Sequence, residues 1–319
     1  MPLDARARRF LETLAALNPP DPATLSVAAR REGLAHLLSF GGPAEEIGAS
    51  ADLELPTDPP LPLRSYTPRG ADPRAVLPGI VYFHGGGLVA GSLDTHDGIC
   101  RALANASGCR LLAVGYRLGP EAPFPAAVDD ALAATMWCAT HTEELALDGG
   151  GVGVAGDSAG GTLAAIVCQE LARSGAATPR FQFLLCPIMD FAAESESRRA
   201  LASGYLIERG TLEHDLQHYL PAGTDPAQPR VSPLRAINLR GLPPAIIHAA
   251  EFDPLRDEGE AYAARLRAVG VPARFRCHPG MIHLFYGMRG LIPYAAQAFA
   301  LMGADIRTIV LPSAQALDT

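Results

Sequence analysis

The run Val152-Gly-Val-Ala155, followed by Gly156-Asp157-Ser158-Ala159-Gly160-Gly161 and then Thr162-Leu-Ala-Ala-Ile-Val167, decides the fold of this chain. A short apolar segment, a serine flanked by glycines and a small-residue segment read as strand, sharp turn and helix. Glycines two residues either side of Ser158 leave room for a neighbouring strand and helix. The turn holds the serine in strained backbone geometry and projects it past the carboxyl end of the strand. There it meets a helix N-terminus, whose dipole favours developing negative charge. A serine in that setting is a candidate nucleophile.

Working outward, short apolar runs alternate with helical stretches. The runs are Gly79–Phe83, Leu111–Tyr116, Val152–Ala155, Phe181–Cys186, Ala245–Ala249 and Ala273–Cys277. Helical patterns fall at about 94–107, 125–141, 159–174, 256–269 and 292–308. Strands buried on both faces read as continuous apolar runs, so the fold class is α/β, a mainly parallel sheet of about eight strands covered by helices. Leu53–Leu55 and Leu61–Tyr66 alternate between prolines, as in an antiparallel edge hairpin. Residues 1 to about 48 look helical, with Leu11, Leu14, Leu17, Leu34, Leu37 and Leu38 at helical spacing around Asn18–Pro22. Residues 191–225 break the alternation and read as an insertion over one end of the sheet.

Three further blocks carry chemistry. His84-Gly85-Gly86-Gly87 follows the strand ending at Phe83. A triglycine loop free of side chains suits one task, the presentation of backbone N–H groups to an anion. The amides of Gly85 and Gly86, with that of Ala159, are the expected oxyanion hole. Asp253 follows the strand Ala245–Ala249, and His283 follows Ala273–Cys277. Both lie at the same sheet edge as Ser158, in the order serine, aspartate, histidine. His283 is placed to take the Ser158 proton, and Asp253 to orient the ring. Asp257, four residues on, is expected to enter the next helix.

Composition sets limits. The chain has 319 residues, 48% hydrophobic and 19% charged, enough for a large core. A net charge of -8 disfavours nucleic-acid or anionic-membrane partners, which need a basic face. All 26 basic residues are arginine, so a P-loop lysine and a lysine Schiff base are both excluded. The six cysteines form no C-x-x-C pair and read as buried hydrophobes in a reducing, cytoplasmic compartment. No apolar run approaches the roughly 18 residues of a membrane span, and the N-terminus lacks a signal-peptide pattern. Gly151-Val-Gly153-Val-Ala-Gly156 spells a dinucleotide fingerprint but overlaps a strand, so no such cofactor is expected. His214 and His218 echo a zinc helix, yet a third ligand is lacking, and they read as the polar face of a helix in the covering insertion. No metal or other cofactor is expected.

Taken together, His84–Gly87, Tyr116–Asp130, Gly156–Gly161, Asp253–Gly259 and Pro279–His283 resemble the blocks of the bacterial hormone-sensitive-lipase-like esterases, the group with a GDSAG elbow, within the α/β-hydrolase superfamily. The resemblance runs from about residue 60 to 310. It implies one α/β-hydrolase domain over 1–319, with a helical cap formed by about 1–50 and about 190–225. It also implies a carboxylesterase acting on small, short- to medium-chain acyl esters. An amidase or deacetylase would use the same machinery, and some members of the fold only bind ligands after losing a triad residue. A homodimer stays open. Leu88 stands where the family usually has an aromatic, Leu284 where glycine is common, and Gly119 and Ala122 where alanine and histidine are usual. Leu88, Leu206 and Leu284 are the candidate pocket wall.

Overall fold

The structure is a computed structural model and describes residues 1–311. An eight-stranded sheet is formed by β1 (Ala49–Leu55), β2 (Leu61–Thr67), β3 (Leu77–Phe83), β4 (Arg110–Val114), β5 (Leu147–Asp157), β6 (Gln182–Leu185), β7 (Ala245–Phe252) and β8 (Ala273–Ile282). Their order across the sheet is β1-β2-β4-β3-β5-β6-β7-β8. β1 and β2 make the antiparallel hairpin expected at the edge, and β2 also runs antiparallel to β4. Every other neighbouring pair is parallel. The apolar runs of the sequence all became strands of this sheet.

Successive side chains on a strand point to opposite faces, and in the central strands both faces are buried. On β3, Val81 and Phe83 enter one hydrophobic cluster while Ile80 and Tyr82 enter the other. The first cluster is closed by α4 (Ala126–Thr140), α5 (Ala159–Ser174) and α8 (Arg256–Ala268). The second is closed by α3 (Asp97–Ser107) and α9 (Tyr294–Val310). That two-sided cover is why the strands read as unbroken apolar runs.

The remaining helices are α1 (Ala5–Ala16), α2 (Val27–Ser39), α6 (Glu196–Ala200) and α7 (Arg209–Tyr219). Asp4 caps α1 by accepting from the N–H groups of Arg6 and Ala7, and Ser26 caps α2 through Ala29 N–H. The helical N-terminal segment is shorter than 1–50, because β1 already begins at Ala49 and pairs with Thr67 of β2. The two segments expected to cover the sheet meet each other. Arg30 of α2 forms an ion pair with Asp215 of α7, and His214 of α7 bonds the Leu25 carbonyl oxygen through Nε2. His214 is therefore buried, on the polar face expected of this helix. Among the described residues, no helix is long and apolar enough to cross a membrane.

Candidate active site

Parallel register decides which loops share the sheet edge. Phe83 of β3 pairs with Gly156 of β5, so the glycine loop and the Ser158 turn emerge side by side. Phe252 of β7 pairs with Ile282 of β8, so the next residues, Asp253 and His283, do the same. Residues far apart in sequence are brought together by backbone hydrogen bonding alone.

Ser158 has φ 52° and ψ -121°, outside the ordinary regions for a side-chain-bearing residue. Its N–H donates to the Leu185 carbonyl at 2.8 Å, and its carbonyl accepts from Gly161, Thr162 and Ile188 N–H groups. Strain at one residue is thus held by bonds to its neighbours. A Cβ on Gly156 would strike the Gly160 backbone, and one on Gly160 would strike the Phe83 carbonyl oxygen. Both glycines flanking the serine are there because two backbones pass too closely for any side chain.

Asp253 is fully buried, and its Oδ2 lies 2.8 Å from His283 Nδ1. Its Oδ1 accepts the Leu255 N–H at 2.8 Å, which fixes the carboxylate from the other side. With Nδ1 donating to Asp253, the ring's Nε2 is left as an acceptor. Asp257 instead accepts from Ser197 N–H at 2.7 Å and so ties α8 to α6. Ser158 and His283 line one cavity of about 880 Å³.

The glycine loop departs from expectation in one respect. Gly85 N–H donates to Asp157 Oδ1 at 2.9 Å, so this amide is already occupied. Gly86 and Gly87, both with positive φ, line the cavity instead. Among the described residues, the N–H groups of Gly86, Gly87 and Ala159 have no protein acceptor. Asp157 also accepts from Tyr82 OH at 2.5 Å and Tyr286 OH at 3.1 Å, and its Oδ2 lies 3.6 Å from His96 Nε2. Burial opposes its ionisation, but His96 and these hydrogen bonds outweigh burial and hold its pKa below the usual carboxylate value. In the sequence Asp157 was legible only as the residue before the serine in the GDSAG turn.

The Tyr116 block supports the loop from below. Tyr116 OH donates to the His84 carbonyl at 2.7 Å, and the two rings stack at 4.3 Å. Burial first, then His96, push the His84 pKa down to about 3, so this ring is neutral. Arg117 clasps Asp130 through Nε and Nη2 and also donates its N–H to that carboxylate.

Of the three leucines expected in the pocket wall, Leu206 and Leu284 line the cavity, both with positive φ. Leu88 does not line it. Left-handed backbone at φ 67° turns its side chain into the core cluster that holds Val81, Phe83 and Tyr116. Much of the wall comes instead from Leu11, Leu14, Leu34, Leu37, Phe191 and Leu212 of the covering segments.

Cys186, Asp253 and His283 offer ligand atoms within 4.8 Å of one another, a grouping that cysteine spacing did not reveal. Burial, and then Asp253, push the Cys186 thiol well above its usual pKa. His283 Nδ1 is already spent on Asp253 Oδ2 at 2.8 Å and Asp253 Oδ1 on the Leu255 N–H, so this donor set does not fit a metal ion. His214 Nε2 lies 2.9 Å from the Leu25 carbonyl oxygen, and His214 belongs to no such grouping among the described residues.

A family profile described as alpha/beta hydrolase fold matches residues 80–287. The chain is 43% identical over 258 residues to the carboxylic ester hydrolase LipN of Mycobacterium tuberculosis (strain ATCC 25618 / H37Rv), covering 79% of this chain and 64% of that protein. It is 39% identical to an ethyl acetate hydrolase of Pseudomonas putida, over 86% of this chain and 87% of that one. A hyperthermophilic esterase from the archaeon Pyrobaculum calidifontis superposes with a TM-score of 0.90 at 36% identity, covering 98% and 100% of the two chains. On the family profile and these identities, the chain belongs to the alpha/beta hydrolase fold family.

Proposed function

We propose that the protein is a serine carboxylic-ester hydrolase in which Ser158 is the nucleophile, His283 the general base and Asp253 the residue that orients the base and stabilises its imidazolium. The observation that carries the reading is the 2.8 Å contact from His283 Nδ1 to Asp253 Oδ2, in a cavity shared with the strained Ser158. His283 Nε2 takes the Ser158 proton as Oγ attacks the ester carbonyl. The tetrahedral oxyanion is met by the N–H groups of Gly86, Gly87 and Ala159, the last at the N-terminus of α5. His283 then protonates the leaving alcohol, and water hydrolyses the acyl-enzyme by the same route in reverse. The scheme calls for no metal or other cofactor.

Residues 1 to about 48 and about 190–220 act in this reading as a cap on a single hydrolase domain. They supply leucine and phenylalanine side chains over the serine, which favours small esters of short to medium acyl length. Relatives named as carboxylic ester hydrolase, ethyl acetate hydrolase and arylesterase support an ester substrate. A cytoplasmic location accords with six unpaired cysteines, five of them buried. The test is turnover of p-nitrophenyl butyrate against the matching anilide, with a phosphonate label mapped by mass spectrometry. Labelling at Ser158 and loss of turnover in Ser158→Ala are expected. A label on another serine, or faster anilide cleavage, would overturn the assignment.

A further inference from the structure

The cavity over Ser158 is apolar along much of its wall, but Arg30 of α2 breaks the pattern. Its Nε donates to Asp215 Oδ1 at 3.0 Å and its Nη2 to Asp215 Oδ2 at 2.8 Å. The two side chains are 13% and 3% exposed, so the fork is fixed in place. The pair leans on the glycine loop, since a Cβ on Gly87 would collide with the Asp215 carboxylate.

That geometry uses one edge of the guanidinium and leaves the other. Among the described residues, Arg30 Nη1 has no hydrogen-bond partner, and it is not one of the sealed side-chain atoms that lack one. A rigid cationic donor with a free edge in an apolar wall is the arrangement that fixes a ligand's orientation. The surrounding charge selects the acceptor. Asp215 already neutralises Arg30, and Asp21 and Glu208 line the same cavity. A carboxylate on the substrate would meet this excess of acids, whereas a neutral oxygen would not.

We propose that Arg30 is a specificity-determining residue whose free Nη1 edge binds a second, neutral oxygen of the ester substrate, a ketone or ether oxygen remote from the scissile bond. The proposal rests on the hydrolase reading above and names the substrate class of that same site. A site built to hydrogen-bond an oxygen rejects the analogue lacking it far more strongly than it senses one methyl group.

The test uses two isosteric pairs. Oxygen is placed in the acyl half with p-nitrophenyl 4-oxopentanoate against p-nitrophenyl 4-methylpentanoate. It is placed in the alcohol half with 3-oxobutyl acetate against 3-methylbutyl acetate. Each kcat/KM is divided by that ester's rate of spontaneous hydrolysis. The full-length protein should prefer the oxo ester by about tenfold or more in at least one pair, the size of one charged hydrogen bond. Arg30→Met should erase the preference, and Arg30→Lys should keep part of it. Because Arg30→Met leaves Asp215 uncompensated, Arg30→Met/Asp215→Asn serves as a second variant without a stranded buried charge. It should also show no preference. No oxo preference in either pair, or a preference that survives both methionine variants, would overturn the proposal while leaving ester hydrolysis standing. Failure to turn over any of the four esters would overturn both.

Discussion

Asp157 Oδ1 accepts the N–H of Gly85 at 2.9 Å, which ties the residue before the candidate nucleophile to the first glycine of the loop facing it. The same carboxylate holds Tyr82 and Tyr286 by their hydroxyls. One buried anion therefore sets the spacing between the Ser158 turn and the Gly86 and Gly87 amides.

Asp157→Asn should accordingly disturb the oxyanion loop more than substrate binding. Asparagine keeps one acceptor oxygen and puts an NH2 where the carboxylate has its second, so the buried anion that gathers Gly85, Tyr82 and Tyr286 is lost. We expect kcat to fall about 10²-fold, the effect of a misplaced oxyanion donor, with KM little changed. Steady-state kinetics on p-nitrophenyl butyrate separate the two. A rise in KM at constant kcat would mean that Asp157 acts on binding instead.

Asp253 and Asp257 are distinguishable by their partners. Asp253 faces His283, while Asp257 caps the start of α6 through Ser197. Asp253→Asn should cost about 10⁴ in kcat, as in the serine-protease case. Asp257→Asn should lower thermal stability with a small effect on kcat. Kinetics and melting of both variants decide the matter, and a larger kcat loss at Asp257 would reverse the assignment.

What the sequence made legible, and what it hid, follows from how local each signal is. Gly156–Gly161 and His84–Gly87 announce themselves because both glycine loops are dictated by backbones in close contact over a few residues. The six apolar runs are equally local, so the sheet could be read directly. Hidden features depend on groups from distant segments. Gly85 looked free to donate until Asp157, 72 positions away, was seen to take its N–H. Leu88 looked like pocket wall because only its backbone angle turns it inward. Arg30 and Asp215 are 185 residues apart, and no pattern in either helix signals the other.

Buried neutral histidines give the fold an acid-sensitive window. His84 is held at about 3 by burial and then His96, and His278 at about 3 by burial and then His248. Both values lie below the usual 6.5, so between about 3 and 6.5 the unfolded chain binds protons that the folded chain refuses. Stability from these rings is complete above about pH 6.5 and is lost as pH falls toward 3. The loss from pH 6.5 to 5 reaches up to about 2 kcal/mol for each ring. Buried carboxylates such as Asp157 and Asp305, whose pKa values are depressed, add their losses only in more acid solution. Tm measured at pH 7.5, 6 and 5 should fall by several degrees over the last interval. His278→Gln should flatten part of that slope, and an unchanged slope would remove His278 from the account.

Acyl-chain length tests whether α1 and α2 close the site. Leu11 and Leu14 of α1 and Leu34 and Leu37 of α2 line the cavity with Ser158. Arg31 fastens α2 to two loops, donating to the Val89 carbonyl beyond the glycines at 2.8 Å and to the Gly119 carbonyl of the Tyr116 block at 3.1 Å. Each methylene buried against those leucines gains roughly 0.8 kcal/mol, so kcat/KM should climb with the first added carbons. A cavity of about 880 Å³ roofed by two helices sets an upper limit, beyond which overpacking opposes the gain. Gain and limit together give an optimum, which the family resemblance places at about four to eight carbons. Deleting residues 1–40 removes those four leucines and Arg31 from the cover. The truncated protein should bind short esters more weakly, discriminate less by length and melt earlier, because apolar surface is left uncovered. Esters from acetate to palmitate on the full-length and truncated chains give the comparison. Preference for palmitate in the full-length protein, or identical length profiles for both proteins, would show that these helices do not close the site.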